Sequence, residues 1–402
     1  MAQKWLSIVG IGEDGLPGLS SVARSLVERA DVLVGGDRHL AMLPADDRKR
    51  LVWSSPISDS IAAILVHRGQ PVCVLASGDP MHYGIGVTLT RRISLAEMTI
   101  IPAPSTFSLA CARLGWSLTE VETLSLCSRP ATLLHAYLYP GAKLLVLSEG
   151  KQTPAIVAQI LTQRGFGNSL MTVLERLGGQ HERHLTDMAC RWSETALADL
   201  NAIAVECVAD GGITALPRTP GLPDAAYHHD GQLTKREVRA ITLSALAPIP
   251  GELLWDVGAG CGSIAIEWLR SHPRCRAIAV EKSRTHYIAD NAAALGTPNL
   301  QIIEGTAPLA LSNLPTPDAI FIGGGVASAG LLETCWTALK PGGRLVANAV
   351  TLAGERTLLQ WHEAVGGEFT RIAIQRAEPI GKFLGWKAMA PVTQWVAIKM
   401  NA

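Results

Sequence analysis

The 402-residue chain has room for two ordinary domains, and 48% of it is apolar. Its 35 Lys and Arg balance 35 Asp and Glu, so it lacks the basic excess of a nucleic-acid binder. No apolar run reaches the ~18 residues of a membrane span, and the first residues read as a strand entering a glycine loop, not a signal peptide.

Apolar runs at 6–9, 32–34, 72–76, 144–147 and 202–208 predict strands in the first half. Between the first two, Val22, Ala23, Leu26, Val27 and Ala30 keep helical spacing, with Ser20 or Ser21 as a cap. Residues 209–224 are rich in Gly and Pro without apolar periodicity and read as a linker between domains at 1–208 and 225–402. In the second half, strands are expected at 253–257, 276–281, 300–304, 319–322, 344–348, 370–376 and 395–399. Helices are expected at 263–270, 284–295, 329–339 and 355–365. Such alternation predicts a parallel sheet with helices on both faces. The last two strands have no helix between them, which predicts an antiparallel pair at one edge. The eight cysteines form no Cys-x-x-Cys pair and sit mostly in apolar runs such as Val72-Cys73-Val74. That pattern reads as buried free thiols in a reducing cytoplasm, with no metal or disulfide framework.

Each half carries one glycine-rich loop after a strand. In the second, Asp256-Val-Gly258-Ala259-Gly260-Cys261-Gly262 turns the backbone sharply where a ligand can approach, and Glu281 closes the next strand. From there a carboxylate can take both hydroxyls of a ribose. A nicotinamide dinucleotide would call for Gly-x-Gly-x-x-Gly, whose third glycine would have to be Ser263; the observed spacing fits S-adenosylmethionine (AdoMet) better. In the first half, Gly10-Ile-Gly12-Glu-Asp-Gly15 has the dinucleotide spacing, but Leu16-Pro17-Gly18 separate it from the helix, so no helix N-terminus faces a pyrophosphate.

Ala76-Ser77-Gly78-Asp79-Pro-Met-His-Tyr83-Gly-Ile-Gly86 and Pro102-Ala-Pro-Ser105-Thr106-Phe107 resemble the tetrapyrrole methylase family. So do Ala112-Arg-Leu-Gly-Trp116, Leu174-Glu-Arg-Leu-Gly178 and Ala202-Ile-Ala-Val-Glu206. The resemblance implies two α/β subdomains with AdoMet in the cleft between them. Ser77, Gly78, Asp79, Tyr83, Ser105 and Thr106 would be its contacts.

The second half resembles the class I AdoMet methyltransferase fold, a Rossmann-like sheet of seven strands. Gln232-Leu-Thr-Lys-Arg-Glu-Val-Arg239, Trp255–Glu267, Asp318-Ala-Ile-Phe-Ile-Gly-Gly-Gly325 and Asn348-Ala-Val resemble the decarboxylating precorrin methyltransferases of corrin biosynthesis. That resemblance places AdoMet against Thr234, Gly258, Ala259, Gly260, Cys261, Gly262, Glu281, Thr306 and Ala307.

The fusion implies an α/β enzyme with two AdoMet sites per chain that methylates precorrin-6B at carbons 5 and 15. It also implies loss of the ring C acetate carboxyl, to give precorrin-8 in cobalamin biosynthesis. Another tetrapyrrole, or the cobalt-containing intermediate, is the alternative substrate. Self-association is implied too. A substrate edged with carboxylates calls for basic residues: Lys235, Arg236, Arg239, Arg376, Lys382 and Lys387 in the second half, with Phe383 and Trp386 to cover the ring. Arg38, His39 and His82 are the first-half counterparts. Lys235, Glu237 and Arg239, beside Thr234, are the expected shell for the decarboxylation.

Overall fold

The computed structural model describes residues 4–400. The chain forms two compact units, Met1–Ala131 with Pro140–Ile213, and Thr132–Tyr139 with Thr214–Ala402.

The first unit contains two sheets. One is built from β1 (Leu6–Ile11), β2 (Val32–Gly35), β3 (Lys49–Val52), β4 (Val72–Ser77) and β5 (Met98–Ile101) in the order β3-β2-β4-β1-β5. All its pairings are parallel. Its strands read as continuous apolar runs because both faces are covered. Val72, Val74 and Ala76 enter one core cluster, while Cys73 and Leu75 enter another. The helices of this unit are α1 (Ser21–Glu28), α2 (Asp37–Ala41), α3 (Ile57–Leu65), α4 (Ile85–Thr90), α5 (Thr106–Leu114) and α6 (Thr153–Gln163). The Ser20 hydroxyl caps α1 by accepting from the Ala23 amide at 3.2 Å, and a short 3-10 turn at Leu16–Gly18 separates the first glycine loop from that helix.

The second sheet holds β6 (Glu122–Ser125), β7 (Lys143–Leu147), β8 (Leu170–Glu175), β9 (Arg183–Met188) and β10 (Asn201–Glu206), ordered β6-β7-β10-β8-β9. Only the β6–β7 pairing is parallel.

The second unit opens with α7 (Arg236–Leu246). It then alternates β11 (Leu253–Val257), α8 (Ser263–Ser271), β12 (Arg276–Glu281), α9 (Thr285–Ala294), β13 (Gln301–Glu304) and β14 (Ala319–Ile322). There follow α10 (Leu331–Ala338), β15 (Arg344–Ala349), α11 (Leu352–Val365) and β16 (Glu368–Ile372). A two-stranded hairpin, β17 (Gln375–Ile380) and β18 (Phe383–Ala388), precedes β19 (Val392–Ile398). The seven-stranded order is β13-β12-β11-β14-β15-β19-β16, with β19 antiparallel to both neighbours, as expected for the edge. The strand expected at 370–376 is divided between β16 and β17, and Phe383, Trp386 and Lys387 lie on β18.

The segment at 209–224, expected as a linker, belongs to the first unit as far as Ile213 and to the second from Thr214. Its second part is tied down. Leu222 is buried, Glu267 accepts from the Gly221 and Leu222 amides at 2.6 and 3.0 Å, and Arg270 donates to the Leu216 and Pro217 carbonyls. Gly and Pro mark irregular backbone here, and irregular backbone can still be packed.

Candidate active sites

In a parallel sheet every strand ends at the same edge, so the loops after the strands gather there. In the first unit they line a cavity of about 380 Å³ with residues from the second sheet opposite. Gly12 and Glu13 follow β1, Arg38 and His39 lie on α2 after β2, Trp53 follows β3, and Ser77–Asp79 end β4. Pro104–Phe107 come from the turn after β5 into α5. All six residues expected at this site, Ser77, Gly78, Asp79, Tyr83, Ser105 and Thr106, line the cavity.

Close backbone approach explains Gly78. The Gly78 amide donates to Ile11, and its carbonyl accepts from Ala103. A Cβ at Gly78, where φ is +54°, would lie 2.9 Å from the Pro104 carbonyl oxygen. Asp79 accepts from the Met81 amide at 2.8 Å, so one carboxylate oxygen closes its own turn. Ser105 caps α5, accepting from the Ser108 amide at 3.2 Å, while Thr106 opens the helix. The Ser77 hydroxyl meets Arg38 at 2.9 Å and His39 at 3.0 Å, and Arg38 is ion-paired with Glu13. Burial first, and the Arg38 charge second, push the His39 ring down to about 4.

Across the cavity, Ser148 and Asn201 were not singled out in the sequence, although Asn201 directly precedes the motif at 202–206. Both are buried, and Ser148 Oγ and Asn201 Oδ1 have no hydrogen-bond partner. The Asn201 amide nitrogen already donates to Ala198, which fixes Oδ1 as the open acceptor. Arg176, Cys127 and Leu147 also line the cavity.

In the second unit the expected residues gather at the carboxyl edge of the seven-stranded sheet. The amides of Gly258 and Ala259 donate to the Val280 carbonyl at 3.0 and 3.2 Å. A Cβ on Gly258, at φ +71°, would lie 3.1 Å from the Gly324 amide nitrogen after β14. Glu281 is buried and accepts from the Gly260 amide at 2.8 Å and the Ser283 amide at 3.2 Å. Thr306 and Ala307 follow β13, and Gly305 donates to the Glu281 carbonyl at 2.9 Å. An ideal Cβ on Gly260 would stand 3.8 Å from the Gln232 carbonyl oxygen, which brings the Thr234 segment beside the loop.

Beneath the loop, Asp256 is fully enclosed. One oxygen accepts from the Ala265 amide at 3.0 Å, and Oδ1 has no partner. Burial, with Glu281 nearby, lifts this carboxyl to about 7. The Cys261 thiol is turned into the core, where burial raises it to about 11, so only the backbone of Cys261 is left for a ligand.

The expected decarboxylation shell needs correction. Arg239 is completely buried. It donates to Glu267 at 2.6 Å, to Asp224 at 3.3 Å and to the carbonyls of Thr234 and Leu222, and it lies over the Tyr227 ring at 4.8 Å. A guanidinium so occupied holds the fold and does not meet substrate. Glu237 is gripped by Arg376 at 2.5 Å, which holds its carboxyl below the usual range and makes it a poor proton donor. Arg376 also meets Asp224 at 3.0 Å, so it anchors the β17–β18 hairpin and is not free for a substrate carboxylate. Lys387 is paired with Glu378. Phe383 and Trp386 do stand exposed on the hairpin. Lys235, half-buried at the N-cap of α7, is the member of the expected shell whose side chain forms no hydrogen bond or ion pair among the described residues.

In the first unit a glycine cradle that a Cβ would fill stands with the unpartnered Ser148 Oγ and Asn201 Oδ1, and in the second such a cradle stands over the unpartnered Asp256 Oδ1, features that suit a ligand carrying amine and hydroxyl groups such as AdoMet.

The family model for tetrapyrrole (corrin/porphyrin) methylases matches residues 6–189, and that for the precorrin methyltransferase domain matches residues 225–399. The chain is similar to the precorrin-6Y C(5,15)-methyltransferase (decarboxylating) of a Sinorhizobium species, at 50% identity over 396 residues. That alignment covers 97% of this chain and 95% of that protein. It is also similar to the cobalt-precorrin-7 C(5)-methyltransferase of Salmonella typhimurium, 32% identical over 178 residues, 44% of this chain and 88% of that protein. A third relative carries the name probable cobalt-precorrin-6B C(15)-methyltransferase (decarboxylating), from Saccharolobus solfataricus. It is 33% identical over 155 residues, 37% of this chain and 78% of that protein. Similarity along nearly the whole length, with one family domain in each half, means that the chain belongs to the precorrin-6Y C(5,15)-methyltransferase (decarboxylating) family, AdoMet-dependent methyltransferases of cobalamin biosynthesis.

Proposed function

We propose that the chain binds one AdoMet in each unit and methylates precorrin-6B at carbon 5 in the first and at carbon 15 in the second. The second site also removes the carboxyl of the ring C acetate, giving precorrin-8. The observation that carries this reading is the pair of separate acceptor sets. Ser148 Oγ and Asn201 Oδ1 lie in one unit and Asp256 Oδ1 in the other, each buried and unpartnered beside its own cradle. An unmet buried acceptor costs about 1–3 kcal/mol, a cost that a ligand amine or hydroxyl would lift.

Bound AdoMet supplies an electrophilic methyl on sulfonium. The protein's part is alignment, which is worth up to roughly 7–11 kcal/mol in well-oriented cases. In the first unit Gly78 and the α5 N-terminus would seat the cofactor. In the second, Glu281 would hold the ribose, and the unpartnered oxygen of Asp256 would hydrogen-bond the loop-side end of the ligand.

Geometry supports the division of labour. Carbons 5 and 15 are bridges on opposite sides of the macrocycle, so one fixed pocket would have to release and turn the substrate to present both. The acetate that is lost sits on the ring adjoining carbon 15, and a site gripping that edge can hold both reacting groups. There the carbon–carboxylate bond breaks, its electron pair passes into the conjugated ring, and a proton is added to the remaining carbon. Lys235 would orient the acetate or relay that proton. Two relatives named for single C(5) and C(15) reactions each match less than half of this chain, which also favours separable activities.

The same reading puts the enzyme in the cytoplasm, where its eight free cysteines suit a reducing medium, and makes it a homo-oligomer, which light scattering would test. Titration calorimetry with AdoMet tests the central claim. The count should be two per chain, and Glu281→Ala should remove one. With ¹³C-methyl AdoMet, that variant should label carbon 5 alone and keep the acetate. A count of one in the intact chain refutes the reading.

A further inference from the structure

Among the described residues, five other than glycine adopt positive φ, and three of them stand at the first unit's cavity. Tyr83 (55°) and Arg176 (47°) line it, and Ser128 (54°) lies between Cys127, which also lines it, and Arg129. Left-handed backbone is strained for bulky side chains, and such strain persists where a surrounding structure enforces a particular direction. Here it holds Tyr83 and Arg176 in the lining of one cleft, with Arg129 on the turn that follows Cys127. The Arg129 guanidinium lies 5.1 Å from the centre of the Tyr83 ring. That ring in turn stacks on His82 at 5.3 Å with an 18° tilt, and His82 packs on Phe107 at 4.8 Å.

The charges of the cleft are unevenly matched. Its two acids are engaged, Glu13 by Arg38 and Asp79 by the Met81 amide. Arg129 and Arg176 are exposed, and among the described residues neither has a carboxylate within ion-pair distance. A guanidinium lying over an aromatic ring keeps its N–H edge free for a planar, two-pronged acceptor.

We propose that Arg129 and Arg176 clamp peripheral carboxylates of the tetrapyrrole in the first unit, with the Tyr83–His82 pair as the surface that a pyrrole ring lies against. This rests on the reading that carbon 5 is methylated in this cleft. The clamp selects for a macrocycle with carboxylates on its rim. Arg38, bound to Glu13, Ser77 and His39, is excluded from it.

The test uses the full chain with Arg176→Asn, Arg129→Gln and the double variant. Asparagine tolerates left-handed backbone, so Arg176→Asn should melt no lower than the wild type. Initial rates with ¹³C-methyl AdoMet, resolved by carbon in NMR, should show KM for the tetrapyrrole in carbon-5 methylation raised roughly tenfold or more per variant. The kcat for that step should stay within about twofold, as expected where ground state and transition state are held alike. AdoMet affinity should be unchanged, and Arg176→Lys should recover part of the loss. A tetrapyrrole KM unchanged at both carbons overturns the proposal. So does a loss of AdoMet affinity, which would give Arg176 to the cofactor's own carboxylate. A KM increase confined to carbon 15 would uphold the clamp and overturn the assignment of carbon 5 to this unit.

Discussion

Replacing Arg239 with Met separates a structural arginine from a catalytic one. Arg239 and Glu267 are both essentially buried, and the pair sits inside a set that also takes in Asp224, Tyr227 and the backbone of 221–222 and 234. Methionine fills much of the volume, but it leaves the Glu267 carboxylate without its cation and two carbonyls without their donor. Breaking a buried pair on one side costs about 3–5 kcal/mol. In a unit of this size each kcal/mol moves the midpoint by about 2–4 °C, so the second unit should melt about 6–20 °C lower. Differential scanning calorimetry of the full chain should show that transition shift while the first unit's stays put. Carbon-5 methylation should persist at a temperature where the variant is folded. Lys235→Met is the contrast: half-exposed, it should leave the midpoint nearly unmoved and slow release of carbon dioxide. If Arg239→Met melts within about 2 °C of the wild type and yet loses carbon dioxide release, Arg239 touches substrate and the argument from burial is wrong.

Gly78→Ala should lower the first unit's stability by about 1–3 kcal/mol and weaken its AdoMet binding, because it combines a left-handed φ with a 2.9 Å clash against backbone; unchanged binding would deny Gly78 a part in the cradle. Asp256, held near 7 against 3.8 for an ordinary aspartate, retains its proton on folding, so its contribution falls as pH rises from about 4 through 7. Asp256→Asn should therefore gain about 1–3 kcal/mol on the wild type between pH 5 and pH 8, read from urea titrations of the second unit's transition. His39, depressed from 6.5 to about 4, has the opposite sign: its contribution is whole above 6.5 and lost as pH falls through 4. With its partial exposure discounted, about 1–2 kcal/mol of first-unit stability should disappear over that range and be flattened in His39→Gln; an unaltered pH profile would place the ring in open solvent.

The strands that the sequence reveals are those buried on both faces. The stretches at 253–257, 276–281 and 319–322 fold with the expected bounds because the parallel sheet demands uninterrupted apolar runs, and their residues alternate between two core clusters. Edge strands lack that signature. Lys49–Val52 and Arg183–Met188 have no buried residue, so their β structure comes from a neighbour's backbone and not from their own composition. The same holds for the hairpin at 375–388, whose apolar side chains stand in solvent.

A comparable limit governs the sites. Glycines announce themselves because they answer a backbone requirement written in a short stretch of chain: Gly78 and Gly258 sit where strand ends crowd together. A basic side chain is defined by what it meets, and its partner lies far off in sequence. Arg239 looked like substrate shell because it follows Thr234, but Glu267, 28 residues further on, had already claimed it. Arg376 looked free, but Asp224 lies 152 positions away and holds it. Arg176 and Arg129 show the converse: no local pattern distinguishes them, and only folding reveals that among the described residues neither is closed into an ion pair, Glu175 beside Arg176 being held by Arg183. The orphaned acceptors follow the same logic, since Ser148 and Asn201 become conspicuous only when a sheet closes over them and supplies no donor. Sequence therefore tells where a ligand's backbone cradle lies, while the side chains that would read the ligand emerge only from the balance of partners after packing.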